Sequence, residues 1–62
     1  MKLKDAEKMF RELNKEFIEA NKGDRIAVGL AYDYFVDGLV KDGSLTQRQW
    51  RNHRNPFYQG KF

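Results

Sequence analysis

Asp24-Arg25-Ile26-Ala27-Val28-Gly29-Leu30-Ala31-Tyr32-Asp33-Tyr34-Phe35-Val36-Asp37-Gly38-Leu39-Val40-Lys41 is the stretch on which the fold turns. Asp24 is a good N-cap, because its carboxylate can accept from an otherwise unpaired amide of the first turn. Behind it the residues are apolar almost throughout. Only Gly29, Asp33, Asp37 and Lys41, spaced by four, form a narrow polar stripe. A helix over 25–41 that is apolar nearly all round must be covered nearly all round. Two short neighbouring helices can cover only part of it, so the excess points to a partner, a second copy included. The rival fold is a hairpin turning at Asp37-Gly38. It leaves only Leu39-Val40 as a second strand, which favours the helix. Gly29 and Gly38 would each cost about 1 kcal/mol in a helix relative to alanine. Either they permit a close approach, or Gly38 ends the helix early.

Upstream, Leu3, Ala6, Phe10, Leu13, Phe17 and Ala20 recur at alternating spacings of three and four. This is an amphipathic helix over about 3–22, widened by Met9 and Ile18. Asn21-Lys22-Gly23 ends it, with Gly23 suited to a left-handed C′ position. Downstream, Asp42-Gly43-Ser44 is a turn. Thr46 and Gln49 then form a capping box, with Leu45 and Trp50 at the hydrophobic-staple positions. A third helix therefore starts at Gln47. It ends near 54, because Pro56 drives Asn55 away from helical angles. The tail carries Phe57, Tyr58 and Phe62, and tail aromatics usually dock back on the body.

The sequence thus predicts an all-α fold, a compact three-helix arrangement over about 3–22, 25–41 and 47–54 with an aromatic C-terminal tail. Residues 1–62 form one helical domain. The expected core is Phe10, Leu13, Phe17, Val28, Ala31, Phe35, Leu39, Leu45 and Trp50, and Trp50→Ala is expected to cost roughly 3–5 kcal/mol.

A chain of 62 residues buries little surface on folding and usually needs a staple. With no cysteine and one histidine, neither disulfides nor a structural zinc site is available. Helix packing and self-association remain. No apolar run suits a membrane span, and Met1-Lys2-Leu3-Lys4-Asp5 lacks the apolar core of a secretion signal. The expectation is a soluble, cytoplasmic protein with no membrane role and no cofactor. Charge is segmental. Residues 1–22 hold six Lys/Arg against five Asp/Glu, residues 23–43 two against four, and residues 44–62 four against none. The basic tail either neutralises the acidic middle or meets a polyanion.

Gly43-Ser44-Leu45-Thr46-Gln47-Arg48-Gln49-Trp50, with Asn55-Pro56-Phe57, resembles small accessory proteins encoded by bacteriophages and prophages. The likeness lies within residues 43–57 and transfers no catalytic or binding residue. It implies an accessory protein acting on a host or phage macromolecule.

Catalytic chemistry finds little support. Asp42-Gly43-Ser44 mimics the middle of an EF-hand loop. Placing Gly43 at its sixth position puts Gly38, Val40 and Gln49 where carboxylates are needed. Ser44 and His53 could pair as nucleophile and base only by accident of folding. His53 sits in what reads as an exposed polar cluster. Asp33 and Asp37 could pair as carboxylates, but they read more simply as a solvent stripe. The chain is not expected to be an enzyme or to take a small-molecule substrate. Nucleic acid is a sharper alternative. Arg48, Arg51 and Arg54 recur every three residues on a short helix that follows a turn, as in a helix-turn-helix. The expected function is a non-enzymatic binding module with a protein partner or itself. The alternative is a small nucleic-acid binder. Arg48, Arg51, His53, Arg54 and Lys61 are the candidate contact residues for either.

Overall fold

The computed structural model describes all of residues 1–62. It is all-α. Helices α1 (Leu3–Leu13), α2 (Lys15–Ala20), α3 (Arg25–Lys41) and α4 (Gln47–Asn52) precede a 3-10 turn at Pro56–Gln59. α3 is one unbroken helix with the bounds its sequence sets. The Asp24 carboxylate accepts from the Ala27 amide at 3.0 Å. At the other end Gly43 takes φ +86°, a left-handed angle that favours glycine, and the Ser44 amide donates to the Leu39 carbonyl. The capping box of α4 is complete. The Gln49 amide donates to Thr46 Oγ1 at 3.1 Å, and the Thr46 amide donates to Gln49 Oε1 at 2.9 Å.

The first helical stretch departs from expectation at Asn14, which divides it into α1 and α2. Asn14 leaves helical angles, and both its amide and its side-chain Nδ2 donate to the Phe10 carbonyl at 3.0 Å. A short amide side chain that bonds back to the preceding turn competes with the helix ladder. Asn21 repeats the device on the Phe17 carbonyl and ends α2. Gly23 therefore has no positive φ to supply.

The break changes which residues face inward. Ile18 is buried, whereas Leu13 and Phe17, both expected in the core, are 69% and 39% exposed. A straight helix would have kept Leu13 and Phe17 on the Phe10 seam. The break turns α2 so that Ile18 takes that role.

The core is Ala6, Phe10, Ile18, Val28, Tyr32, Val36, Leu45 and Phe57. Its centre is aromatic. The Phe10 ring lies 5.2 Å from Tyr32, 5.5 Å from Phe35 and 5.3 Å from Phe57, in edge-on or tilted contacts. Ala31, Phe35, Leu39 and Trp50 sit at its margin, only partly buried. The tail docks, as expected of its aromatics, and it supplies a central core residue, Phe57. Arg11 pins it from α1. The guanidinium donates to the Lys61 carbonyl at 2.9 Å and lies 4.7 Å from the centre of the Phe57 ring.

Burial pushes the Tyr32 phenol up from 10.0 to about 12, with Glu7 adding to the rise and Arg11 opposing it. In the unfolded chain the same phenol titrates near its ordinary value. Between about pH 10 and 12 the unfolded state therefore loses a proton that the folded state keeps, and stability falls across that window. An alkaline titration followed by circular dichroism should show this loss, and Tyr32→Phe should reduce it. An unchanged alkaline profile in Tyr32→Phe would remove Tyr32 as its source.

Candidate functional site

α3 packs most extensively against the C-terminal turn, and Gly29 makes that approach possible. A Cβ at Gly29 would overlap the Tyr58 ring. With no side chain there, the ring lies on the helix, and its hydroxyl donates to Asp33 Oδ2 at 3.0 Å. Asn55 Nδ2 donates to the Gly29 carbonyl at 2.7 Å and to Asp33 Oδ1 at 2.9 Å, while its Oδ1 accepts from the Phe57 amide. His53 Nε2 meets Asp33 Oδ1 at 3.1 Å. Asp33 is thus the anchor of the C-terminal segment, not part of a solvent stripe. Asp37 goes its own way, paired with Lys41 at 3.0 Å. The two carboxylates bind different partners and form no acid–base pair.

His53 is likewise not in an exposed cluster. Its side chain is 12% exposed, its ring stacks on Trp50 at 4.6 Å, and Nδ1 meets the Trp50 carbonyl at 2.6 Å. Both ring nitrogens are engaged within the chain, Nδ1 at a carbonyl and Nε2 at a carboxylate. The Ser44 hydroxyl turns to Asp42, and with the Ser44 amide it holds that carboxyl below its ordinary range. Ser44 and His53 therefore form no pair.

The remaining candidate residues lie at the surface. Arg48 and Arg51 project from α4, and Arg54 and Lys61 are exposed beyond it. None of the four side chains has an acidic partner. They do not form one helical face. α4 stops at Asn52 and His53 is extended, because His53 and Asn55 are drawn to Asp33; the expected helix to 54 is cut short. Arg54 is therefore off the row that Arg48 and Arg51 begin.

A second surface is apolar. Ile26, Leu30 and Tyr34 follow one another at intervals of four along α3 and are 66%, 45% and 74% exposed. Tyr58 borders the row, near enough for Tyr34 to add to the rise of its phenol pKa, which burial causes first and Asp33 second. The row is the excess that the composition of 25–41 announces. Leu13 and Phe17 make a smaller exposed pair beside a hollow of about 310 Å³ lined by residues 12–17. That pair straddles the Asn14 break, whereas the α3 row stands on the longest and most continuous element.

No cluster of three or more His, Cys, Asp or Glu is placed to hold a metal ion, and no helix is long and apolar enough to cross a membrane. No protein-family model, curated protein or solved structure matches this chain.

Proposed function

We propose that this chain is a non-enzymatic binding module that docks a protein on the exposed row Ile26, Leu30 and Tyr34 of α3. The observation that carries it is three large apolar side chains, left in solvent one helical turn apart, on a rigid helix whose opposite side is the core. Scattered apolar residues are ordinary on a surface, but a contiguous row of this kind marks an interaction site. Tyr34 in the row, with Tyr58 at its border, fits the aromatic enrichment of interface centres. The resemblance of residues 43–57 to phage-encoded accessory proteins supports the same role, acting on a host or phage macromolecule. A chain without cysteine suits the cytoplasm.

The test replaces Ile26, Leu30 and Tyr34 together with serine. Because the side chains are exposed, the triple variant should stay folded by circular dichroism. The wild type, immobilised and exposed to extract, should retain a protein that the variant does not. Equal retention by both would remove the row from the interface.

Nucleic acid is the second candidate partner, favoured by the unpaired Arg48, Arg51 and Arg54. Against it, α4 has six residues and is about 9 Å long, short for a recognition helix. Anisotropy of labelled mixed-sequence DNA and RNA at two salt concentrations decides the matter. Micromolar binding that weakens with salt and is lost in a folded Arg48/Arg51/Arg54→Ala variant would establish it. No binding at low salt would retire it.

A further inference from the structure

We infer that His53 is a proton-operated latch: its imidazolium, set between the Trp50 carbonyl and the Asp33 carboxylate, fastens the C-terminal segment to α3, and the hold slackens when the proton leaves. The ring has an acceptor at each end. Nδ1 lies 2.6 Å from the Trp50 carbonyl oxygen, and Nε2 lies 3.1 Å from Asp33 Oδ1. A neutral imidazole has one N–H and one lone pair. With its proton on Nδ1, the bare Nε2 faces a carboxylate oxygen. With its proton on Nε2, the bare Nδ1 faces a carbonyl. Either neutral form sets one acceptor against another, and only the imidazolium satisfies both contacts. The side chain is 12% exposed, so water does little to relieve a bare nitrogen.

The neighbouring groups offer no other arrangement. Asn55 Nδ2 already donates to the Gly29 carbonyl and to Asp33 Oδ1, and its Oδ1 accepts from the Phe57 amide. Turning that amide over would break all three bonds. The Tyr58 hydroxyl serves Asp33 Oδ2. The Asp33 carboxylate is a weaker base than imidazole and already accepts from two donors, so it is the poorer place for the extra proton. From α3 the ring also meets the Tyr32 phenol, 6.2 Å away between ring centres. Asp37, one turn beyond Asp33, is taken up by Lys41. From α1, Glu7 and Arg11 act on Tyr32 with opposite signs. On the side of α4 and the tail, Trp50 stacks on the ring without charge, and Arg51 and Arg54 are exposed. Asp33 is thus the one carboxylate within 4.0 Å of a ring nitrogen.

In the unfolded chain the imidazolium gives up its proton at about pH 6.5. Well below that value both states carry the proton and the latch holds fully. Above it the folded chain binds a proton that the unfolded chain has lost, so stability falls as pH rises. The segment that the ring fastens, with Asn55, Phe57 and Tyr58, should loosen first. The latch does not depend on what docks on the α3 row.

The test reads the chain's one histidine by nitrogen NMR of the full, isotope-labelled protein. At about pH 7 both ring nitrogens of the folded wild type should carry a proton, whereas in concentrated urea at the same pH the ring should be mainly neutral. Urea melts should show the folding equilibrium constant falling about fivefold more from pH 6 to pH 8 in wild type than in His53→Gln, the scale of one partly exposed hydrogen bond. Over the same range, exchange protection at the Phe57 and Gly60 amides, corrected for the intrinsic effect of pH, should drop before that of α3. A mainly neutral ring in the folded chain at about pH 7 would overturn the latch. So would protection at Phe57 and Gly60 that merely follows α3. Both are read in the wild type, so they decide the matter even if His53→Gln fails to fold. A folded His53→Gln that keeps the wild-type pH profile would overturn the latch as well.

Discussion

Phe57→Ala should remove half or more of the folding stability of this chain at room temperature. Phe57 is fully buried, and its ring lies 5.3 Å from both Phe10 and Tyr32, 6.1 Å from Phe62 and 4.7 Å from the Arg11 guanidinium. It joins α1, α3 and the tail at one point. Truncating a buried phenylalanine removes its transfer energy and leaves a cavity, together about 3–5 kcal/mol. A domain of this length has roughly 3–9 kcal/mol in all. Phe57→Leu keeps most of the volume and should cost about half as much. Trp50→Ala, in contrast, should cost only about 1–2 kcal/mol, below the figure its sequence position suggests, because Trp50 stands half-buried at the margin. Urea melts of the three variants by circular dichroism give the order. A Phe57→Ala variant that melts cooperatively close to wild type would show that the tail does not complete the core.

Much of this fold is legible in local chemistry. Asp24, Gly43, Thr46 and Gln49 each act through a hydrogen bond or an angle set within a few residues, so α3 and the start of α4 lie where the sequence puts them. Asn14 is also a local effect, yet its spacing hides it. Leu13 and Phe17 fit an unbroken seam so well that the competing side-chain bond to Phe10 goes unread. The tail is harder for a different reason. That aromatics at 57, 58 and 62 dock is readable, but their depth depends on Asn55 and His53 finding Asp33 twenty or more residues away. The one local hint is Gly29, a turn before Asp33, which clears the helix surface for Tyr58. The apolar row is legible as a surplus over 25–41, although which residues would be left outside depends on where the tail and α1 lie.

Asp33→Ala should destabilise the chain by about 2–4 kcal/mol and release the C-terminal segment first. The carboxylate accepts from Asn55 and Tyr58 and meets His53, all from the segment that carries Phe57. Hydrogen bonds to a charged group contribute about 1.5–3 kcal/mol each. The partial exposure of this site and the water open to Tyr58 reduce the sum well below three such bonds. Asp33→Asn should cost less, because its carbonyl oxygen can still accept at the Oδ1 position and its amide can donate to the Tyr58 hydroxyl. Amide exchange at Phe57 and Gly60 should quicken in Asp33→Ala before that of α3, since those amides close the turn the anchor holds. The Tyr58 phenol, raised by burial first and by Asp33 second, should titrate lower in Asp33→Ala. A double-mutant cycle of Asp33→Ala with Tyr58→Phe isolates their coupling, expected at about 0.5–1.5 kcal/mol. Additive costs, with unchanged exchange at Phe57, would mean that the aromatic core alone holds the tail and that Asp33 merely lies beside it.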